Sequence, residues 1–123
     1  MSIAVDLSKL AEVMGNYRFA YLLTSSERGA PHAVAVSAVL QDGGLVVDQT
    51  GRRSRDNAIQ RPEVALVWPP QSESDYSLIV DGRAVVAGGG LRIVPTRAVL
   101  HRPAPSRQPA APGACGSDCV EIA

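Results

Sequence analysis

The spacing of apolar residues is helical in one short segment near the start of the chain. Four apolar residues between positions 7 and 16 fall on one face of a helix. They are Leu7, Leu10, Ala11 and Met14. Asp6 can cap the N-terminus of this segment, and Gly15 with Asn16 can end it. The pattern therefore predicts one short amphipathic helix over residues 7–16.

From residue 18 onward the chain is rich in β-branched and large apolar residues, in short segments that are typical of strands. We predict strands at 19–24, 33–40, 45–48, 64–68, 77–87 and 91–100. Three glycine-containing sequences of hairpin length, at 27–29, 42–44 and 88–90, separate neighbouring strands. The predicted fold class is mainly β, a six- to seven-stranded antiparallel barrel with a short helix between the third and fourth strands.

The second predicted strand, 33–40, has small or apolar residues on both faces. Such a strand is typical of a barrel wall that also meets a partner or a ligand. Between the third and fourth strands lies a segment that we name the basic loop-helix, residues 51–62. Ser54 can cap its helix, which must end near Pro62.

The start of the basic loop-helix has the residue types that bind phosphate. Thr50 and Ser54 offer hydroxyl groups, and Arg52, Arg53 and Arg55 offer guanidinium groups, which bind phosphate through paired, charge-assisted hydrogen bonds. The free N–H groups of a helix N-terminus favour an anion at the same place. Arginines beside a helix start are also common in solvated turns, so the pattern alone leaves both interpretations open.

The order of these elements resembles a known family, the pyridoxamine 5′-phosphate oxidase-like, FMN-binding split barrels. The resemblance covers residues 17–102. It rests on the segments Gly29-Ala30-Pro31-His32, Asp42-Gly43-Gly44-Leu45, Thr50 to Asn57, Arg61 to Leu66 and Val80-Asp81-Gly82-Arg83-Ala84. The glycine at position 82 is expected to let a long strand bend. No single motif is decisive, and the specificity comes from their order and spacing.

The resemblance implies a homodimer with FMN bound at the dimer interface. Arg52, Ser54 and Arg55 would lie near the phosphate, with Arg53 assisting. The ring and ribityl chain would be lined by Val36, Ser37, Gln49 and Thr50. For Trp68 two interpretations stay open: a core or rim aromatic, or an interface residue near the flavin ring.

One departure from the family bears on the cofactor. Relatives commonly have a lysine near position 54, where this chain has none. A neighbouring arginine replaces the charge but not the geometry of that lysine. A deazaflavin coenzyme is therefore an alternative to FMN. The expected function is a flavin-dependent oxidoreductase of unknown substrate and unknown catalytic residues, and the alternative is a non-enzymatic flavin-binding, redox-sensing or stress-related protein.

Composition narrows the remaining classes of function. Twelve basic and twelve acidic residues balance, so we expect neither nucleic acid nor a membrane surface as a partner. The N-terminus has no export signal, which favours a cytoplasmic protein. His32 and His101 are isolated in sequence, and Cys115 with Cys119 would still need two further ligands, so we expect no metal site.

We expect a split-barrel domain at 1–102 and a flexible Pro/Ala/Gly-rich tail at 103–123.

Overall fold

The computed structural model describes residues 1–103, which form eight strands and three short helical segments. Residues 104–123, with Cys115 and Cys119, lie outside the described residues. The strands are β1 Ser2–Val5, β2 Ala20–Ser25, β3 Pro31–Val36, β4 Val39–Gln41, β5 Gly44–Val47, β6 Glu63–Trp68, β7 Ser77–Ala87 and β8 Gly90–His101. The helical segments are a 3-10 turn at Leu7–Lys9, α1 at Leu10–Met14 and α2 at Arg52–Gln60.

The strands form one antiparallel sheet in the order β3-β2-β6-β7-β8-β5-β4, with β1 paired to the far part of β8. The two edge strands of this order, β3 and β4, are joined by only two residues, Ser37 and Ala38. This short connection brings the two ends of the sheet together. The predicted fold class, an antiparallel split β-barrel with short helices, is confirmed.

The strand count exceeds the prediction of six to seven for two reasons. The predicted strand 33–40 changes partner midway, because its first part pairs with β2 and its second part pairs with β5. Residues 2–5, which carry no strand pattern of their own, gain hydrogen bonds from the last residues of β8. The second difference arises from a partner that is distant in sequence, whereas strand 33–40 divides between two hairpins with its nearest neighbours along the chain.

The predicted N-terminal helix is shorter than expected and begins with a 3-10 turn. Asp6 is its N-cap, as predicted, because its carboxylate accepts a hydrogen bond from the Ser8 N–H at 2.9 Å. Leu10 is fully buried in the core. Val13 and Met14 are partly buried and also pack against the core, so this short helix is anchored along one face.

The core lies inside the barrel and consists of in-register rows of apolar side chains. One row crosses four strands: Leu22, Leu66, Val80 and Ala98. Each member is at most 3% exposed. Burial of such a row removes apolar surface from water, which is the main favourable term in folding. In residues 1–103 no helix is both long and apolar enough to cross a membrane.

The bend of the long β7–β8 hairpin occurs where the sequence predicted it. The register shifts between Asp81 and Gly82, and a Cβ atom at Gly82 would lie 2.5 Å from Ile93 Cγ2. Real Cβ atoms do not approach that closely. Glycine is therefore required where the two strands curve around the barrel.

Candidate functional site

The basic loop-helix follows β5 after residues 48–50 and places α2 against the sheet. The N-cap of α2 is Gly51, in extended conformation with φ −66° and ψ 160°. The prediction that Ser54 caps this helix is therefore wrong. Helical geometry already begins at Arg52, so Ser54 falls inside the first turn.

The N-terminal end of α2 has polar groups without partners. The N-cap glycine provides no side-chain hydrogen bond, and the first N–H groups of any helix lack acceptors within the helix. Ser54 is 0% exposed. Its Oγ and the Oγ1 of Thr50 are both buried with no hydrogen-bond partner among the described residues. Because buried hydroxyl groups are usually paired, this end of the helix is suited to a ligand.

The three arginines of this segment have different environments. Arg52 and Arg53 are exposed, and Arg52 forms an ion pair with Asp56 at 3.9 Å. Arg55 is half-buried, and its Nη1 donates hydrogen bonds to the carbonyl oxygens of Thr50 and Gly89. Arg52 and Arg53 are thus free to meet an anion from solvent, while Arg55 already binds the backbone.

The rest of α2 is fixed to the barrel. Asn57 is 7% exposed, and its Nδ2 donates to Thr24 Oγ1 on β2 at 3.0 Å. Arg61 follows the helix and donates through Nε to the carbonyl oxygen of Ser25 at 2.9 Å. These contacts with one strand hold the second half of the helix in place, so the free end has a defined position.

The remaining predicted site residues are divided between surface and core. Gln49, between β5 and α2, and Ser37, at the link between β3 and β4, are exposed. Val36 and Trp68 are 9% and 3% exposed and belong to the core cluster. The structure thus joins Thr50, Arg55 and Ser54 within one loop and helix turn, and it places Trp68 in the core. Their roles toward a cofactor stay predictions.

The sequence interpretation of this site missed the glycine turn, Gly88–Gly90, between β7 and β8. The N–H of Thr50 donates to the carbonyl oxygen of Gly89 at 3.1 Å. A Cβ atom at Gly90 would lie 1.7 Å from the carbonyl oxygen of Val47. Three consecutive glycines were a visible signal of close backbone approach, although the approached segment could not be identified from the sequence.

Potential metal ligands are not grouped in the described part of the chain. Across residues 1–103, no set of three His, Cys, Asp or Glu residues is close enough to hold a metal ion. The two cysteines considered in the sequence analysis, Cys115 and Cys119, lie outside these residues.

Comparisons with known proteins give two relatives of high similarity. The chain is 42% identical over 132 aligned residues to uncharacterized protein Mb0449c of Mycobacterium bovis and to uncharacterized protein MT0457 of Mycobacterium tuberculosis. The alignment covers 94% of this chain and 93% of each relative. No family model matches the chain.

Solved structures of low sequence identity share the fold. A putative pyridoxamine 5′-phosphate oxidase from Listeria innocua has a TM-score of 0.65 at 12% identity, covering 76% of this chain and 96% of that one. An FAD-binding protein from Mesorhizobium loti has a TM-score of 0.64 at 13% identity, covering 81% and 96%. An F420 reductase has a TM-score of 0.58 at 14% identity, covering 71% and 93%. The chain therefore belongs to the same family as the two mycobacterial proteins, and its fold is the split β-barrel of pyridoxamine 5′-phosphate oxidase-like, FMN-binding proteins.

Proposed function

We propose that this protein binds FMN and that the N-terminal end of α2 holds its phosphate group. The observation that carries the proposal is that the hydroxyl groups of Thr50 and Ser54 are buried and have no partner in the described part of the chain. They lie beside the free N–H groups of the first helical turn. Leaving a buried polar group unpaired costs about 1–3 kcal/mol. A phosphate oxygen would remove that cost by accepting hydrogen bonds from both hydroxyls.

The charges near this end of α2 also fit a phosphate dianion. Arg52 and Arg53 are exposed and can turn toward a ligand, and the helix dipole adds positive potential. Asp56 is the acidic side chain paired to Arg52, and the pair is exposed and long at 3.9 Å. Such pairs contribute only about 0.3–0.5 kcal/mol. Arg52 can therefore exchange Asp56 for a phosphate at little energetic cost.

A deazaflavin coenzyme is the alternative ligand in this proposal. The split-barrel family commonly has a lysine near position 54, and this chain has none in the basic loop-helix, so a neighbouring arginine would replace the charge of that lysine but not its geometry. The fold is shared with an F420 reductase as well as with an FAD-binding protein. Titration with both coenzymes decides between them, because each has a distinct absorption band.

The proposed biochemical role is that of a flavin-dependent oxidoreductase. A bound flavin supplies hydride or electron transfer at its ring, while the protein orients the cofactor and limits access of water. The alternative role is storage or redox sensing through the same site. Consumption of a reduced nicotinamide by the cofactor-loaded protein, compared with free flavin at equal concentration, distinguishes turnover from binding alone.

The proposed functional unit is a homodimer. On the outer face of the sheet, four exposed or half-buried apolar residues form one in-register row across four strands: Ala35, Tyr21, Val67 and Ile79. Phe19 and Tyr21 form an edge-to-face pair at 5.3 Å, and the two residues are 39% and 41% exposed. An extended apolar patch on the surface of a small domain is typical of an interface. Sedimentation at micromolar concentration should give a dimer, and Tyr21→Glu should give a monomer.

The experiment that tests the phosphate site compares phosphorylated and unphosphorylated flavin. Arg52→Ala should weaken FMN about ten- to a hundredfold, since a hydrogen bond to a charged group contributes about 1.5–3 kcal/mol. Riboflavin, which has no phosphate, should bind the variant as it binds the parent. Fluorescence quenching at fixed ionic strength measures both ligands. Arg28→Ala, in the exposed turn between β2 and β3, is the control.

Two results would contradict the phosphate site. The first is that the two single variants, Arg52→Ala and Arg53→Ala, both bind FMN as tightly as the parent does. The second is an equal loss of FMN and riboflavin, which would place the arginines near the ring. In the first case the basic loop-helix would be a solvated turn, which is the alternative that its sequence left open.

A further inference from the structure

The glycine turn between β7 and β8 is in direct backbone contact with the loop that leads into α2. The Thr50 N–H donates to Gly89 O at 3.1 Å. Gly90 lies so close to the end of β5 that a side chain there would overlap the backbone oxygens of Val47 and Asp48. The turn therefore forms a fixed neighbour of the proposed phosphate site, and its position depends on the contacts between the two loops.

One side chain joins both loops. Nη1 of Arg55 donates to the carbonyl oxygen of Thr50, five residues away, and at 3.1 Å to that of Gly89, which is 34 residues away in sequence. Gly89 O thus accepts from the Thr50 N–H and from the guanidinium together. The half-buried guanidinium also places positive charge beside two carbonyl oxygens, whose negative ends would otherwise oppose a bound anion.

We propose that Arg55 is a positioning residue that clamps the glycine turn onto the start of α2. It acts through the backbone of Thr50 and Gly89, whereas Arg52 and Arg53 are the arginines proposed to meet the ligand. The clamp itself is a property of the protein alone. Its effect on ligand affinity rests on the proposed function. The clamp fixes the positions of the Thr50 hydroxyl and the first helical turn, which are proposed to bind the phosphate.

The geometry also explains why arginine is required at position 55. The side chain of lysine ends one bond short of the position of Nη1, so an ammonium group in its place cannot reach both carbonyl oxygens without moving a loop. Arg55→Lys therefore keeps the charge and loses the clamp, while Arg55→Gln loses both. Comparing these two variants separates the effect of position from the effect of charge.

The direct test is amide hydrogen exchange at Thr50, measured by NMR on the full chain without ligand. Both Arg55→Lys and Arg55→Gln should speed exchange of the Thr50 amide by at least about tenfold, because the loop opens locally. Amides of the core strand β6 should exchange at the parent rate. Arg28→Lys, in the exposed turn between β2 and β3, is the matched control and should leave the Thr50 amide unchanged.

Flavin binding is the second measurement. Both Arg55 variants should weaken FMN about tenfold or more and riboflavin much less. Unchanged exchange at Thr50 in both variants would overturn the clamp, and so would loss of the whole fold in both, since a clamp on one turn is not needed for the core. A parent protein that binds no FMN would refute the proposed function, while the exchange result would still decide the clamp.

Discussion

The polar side chains at the two ends of α2 differ in their hydrogen bonding. At the C-terminal end, Asn57 bonds Thr24 at 3.0 Å and Arg61 bonds the carbonyl oxygen of Ser25 at 2.9 Å. At the N-terminal end, the hydroxyl groups of Thr50 and Ser54 are buried and have no hydrogen-bond partner within residues 1–103. One end is therefore adapted to hold the helix on the barrel, and the other end is left with unsatisfied donors.

This difference separates paired from unpaired polar groups at the two ends of one nine-residue helix. A buried polar group with a partner contributes about 1 kcal/mol to stability, whereas one without a partner lowers it. Selection for stability alone would pair or remove the two hydroxyls. Their presence beside exposed arginines is better explained by a ligand, and variants at the two ends should respond in opposite ways.

The largest expected effect is at the anchored end. Asn57→Ala should lower the free energy of unfolding by about 1–3 kcal/mol, because it removes a buried hydrogen bond and leaves the Thr24 hydroxyl unpaired. Urea unfolding measures the loss. The double variant Asn57→Leu with Thr24→Val should recover part of it, since two apolar groups need no partner. If Asn57→Ala is as stable as the parent, the Asn57 hydrogen bond does not anchor this end of the helix, and the two ends do not differ in the way described.

A smaller effect of opposite sign is expected at the free end. Ser54→Ala should leave the unliganded protein as stable as the parent or raise its free energy of unfolding by up to about 1 kcal/mol, because an unpaired hydroxyl leaves the interior. The same change should weaken FMN, though less than Arg52→Ala does. Destabilisation of the unliganded protein by more than about 1 kcal/mol would show that the Ser54 hydroxyl has a structural partner.

The exposed arginines at the N-terminal end of α2 should affect ligand binding but not stability. Arg53→Ala should change the free energy of unfolding by no more than about 0.5 kcal/mol, the usual range for surface substitutions away from special features. Thermal melts with and without FMN measure it. The ligand-induced rise in Tm should shrink in the variant, since ligand stabilisation follows affinity. An equal rise in both proteins would exclude Arg53 from the site.

The smallest expected effect concerns an anchored polar group outside α2. Burial, and then the charge of Asp75, raises the pKa of the Tyr17 phenol above its ordinary value of 10.0, and the phenol donates to the Tyr76 carbonyl oxygen at 2.8 Å. Its stabilising contribution is therefore complete below pH 10.0 and lost as the pH rises through the folded-state pKa. Urea unfolding from about pH 8 to about pH 11 should show this loss in the parent. A Tyr17→Phe variant with the same pH dependence would rule out Tyr17 as its source.

Elements with a local cause were predictable from the residues alone. The β7 range, 77–87, was predicted at its observed bounds, because apolar residues and flanking turn residues are neighbours along the chain. Asp42 and Gly43 have φ of 52° and 77°. Asp and Gly are residue types that commonly adopt this left-handed conformation in hairpin turns. The basic loop-helix was also located correctly, since arginines, hydroxyl residues and Pro62 are adjacent in sequence.

Contacts between distant segments could not be predicted from the residues alone. Strand β1 exists because β8, at the other end of the described chain, offers it hydrogen bonds. The sequence placed Arg55 among the arginines expected to bind the phosphate. In the structure its guanidinium donates a hydrogen bond to the carbonyl oxygen of Gly89, 34 residues away. Local patterns fix backbone conformation through sterics and periodicity, whereas these contacts depend on how distant segments pack, which no local pattern encodes.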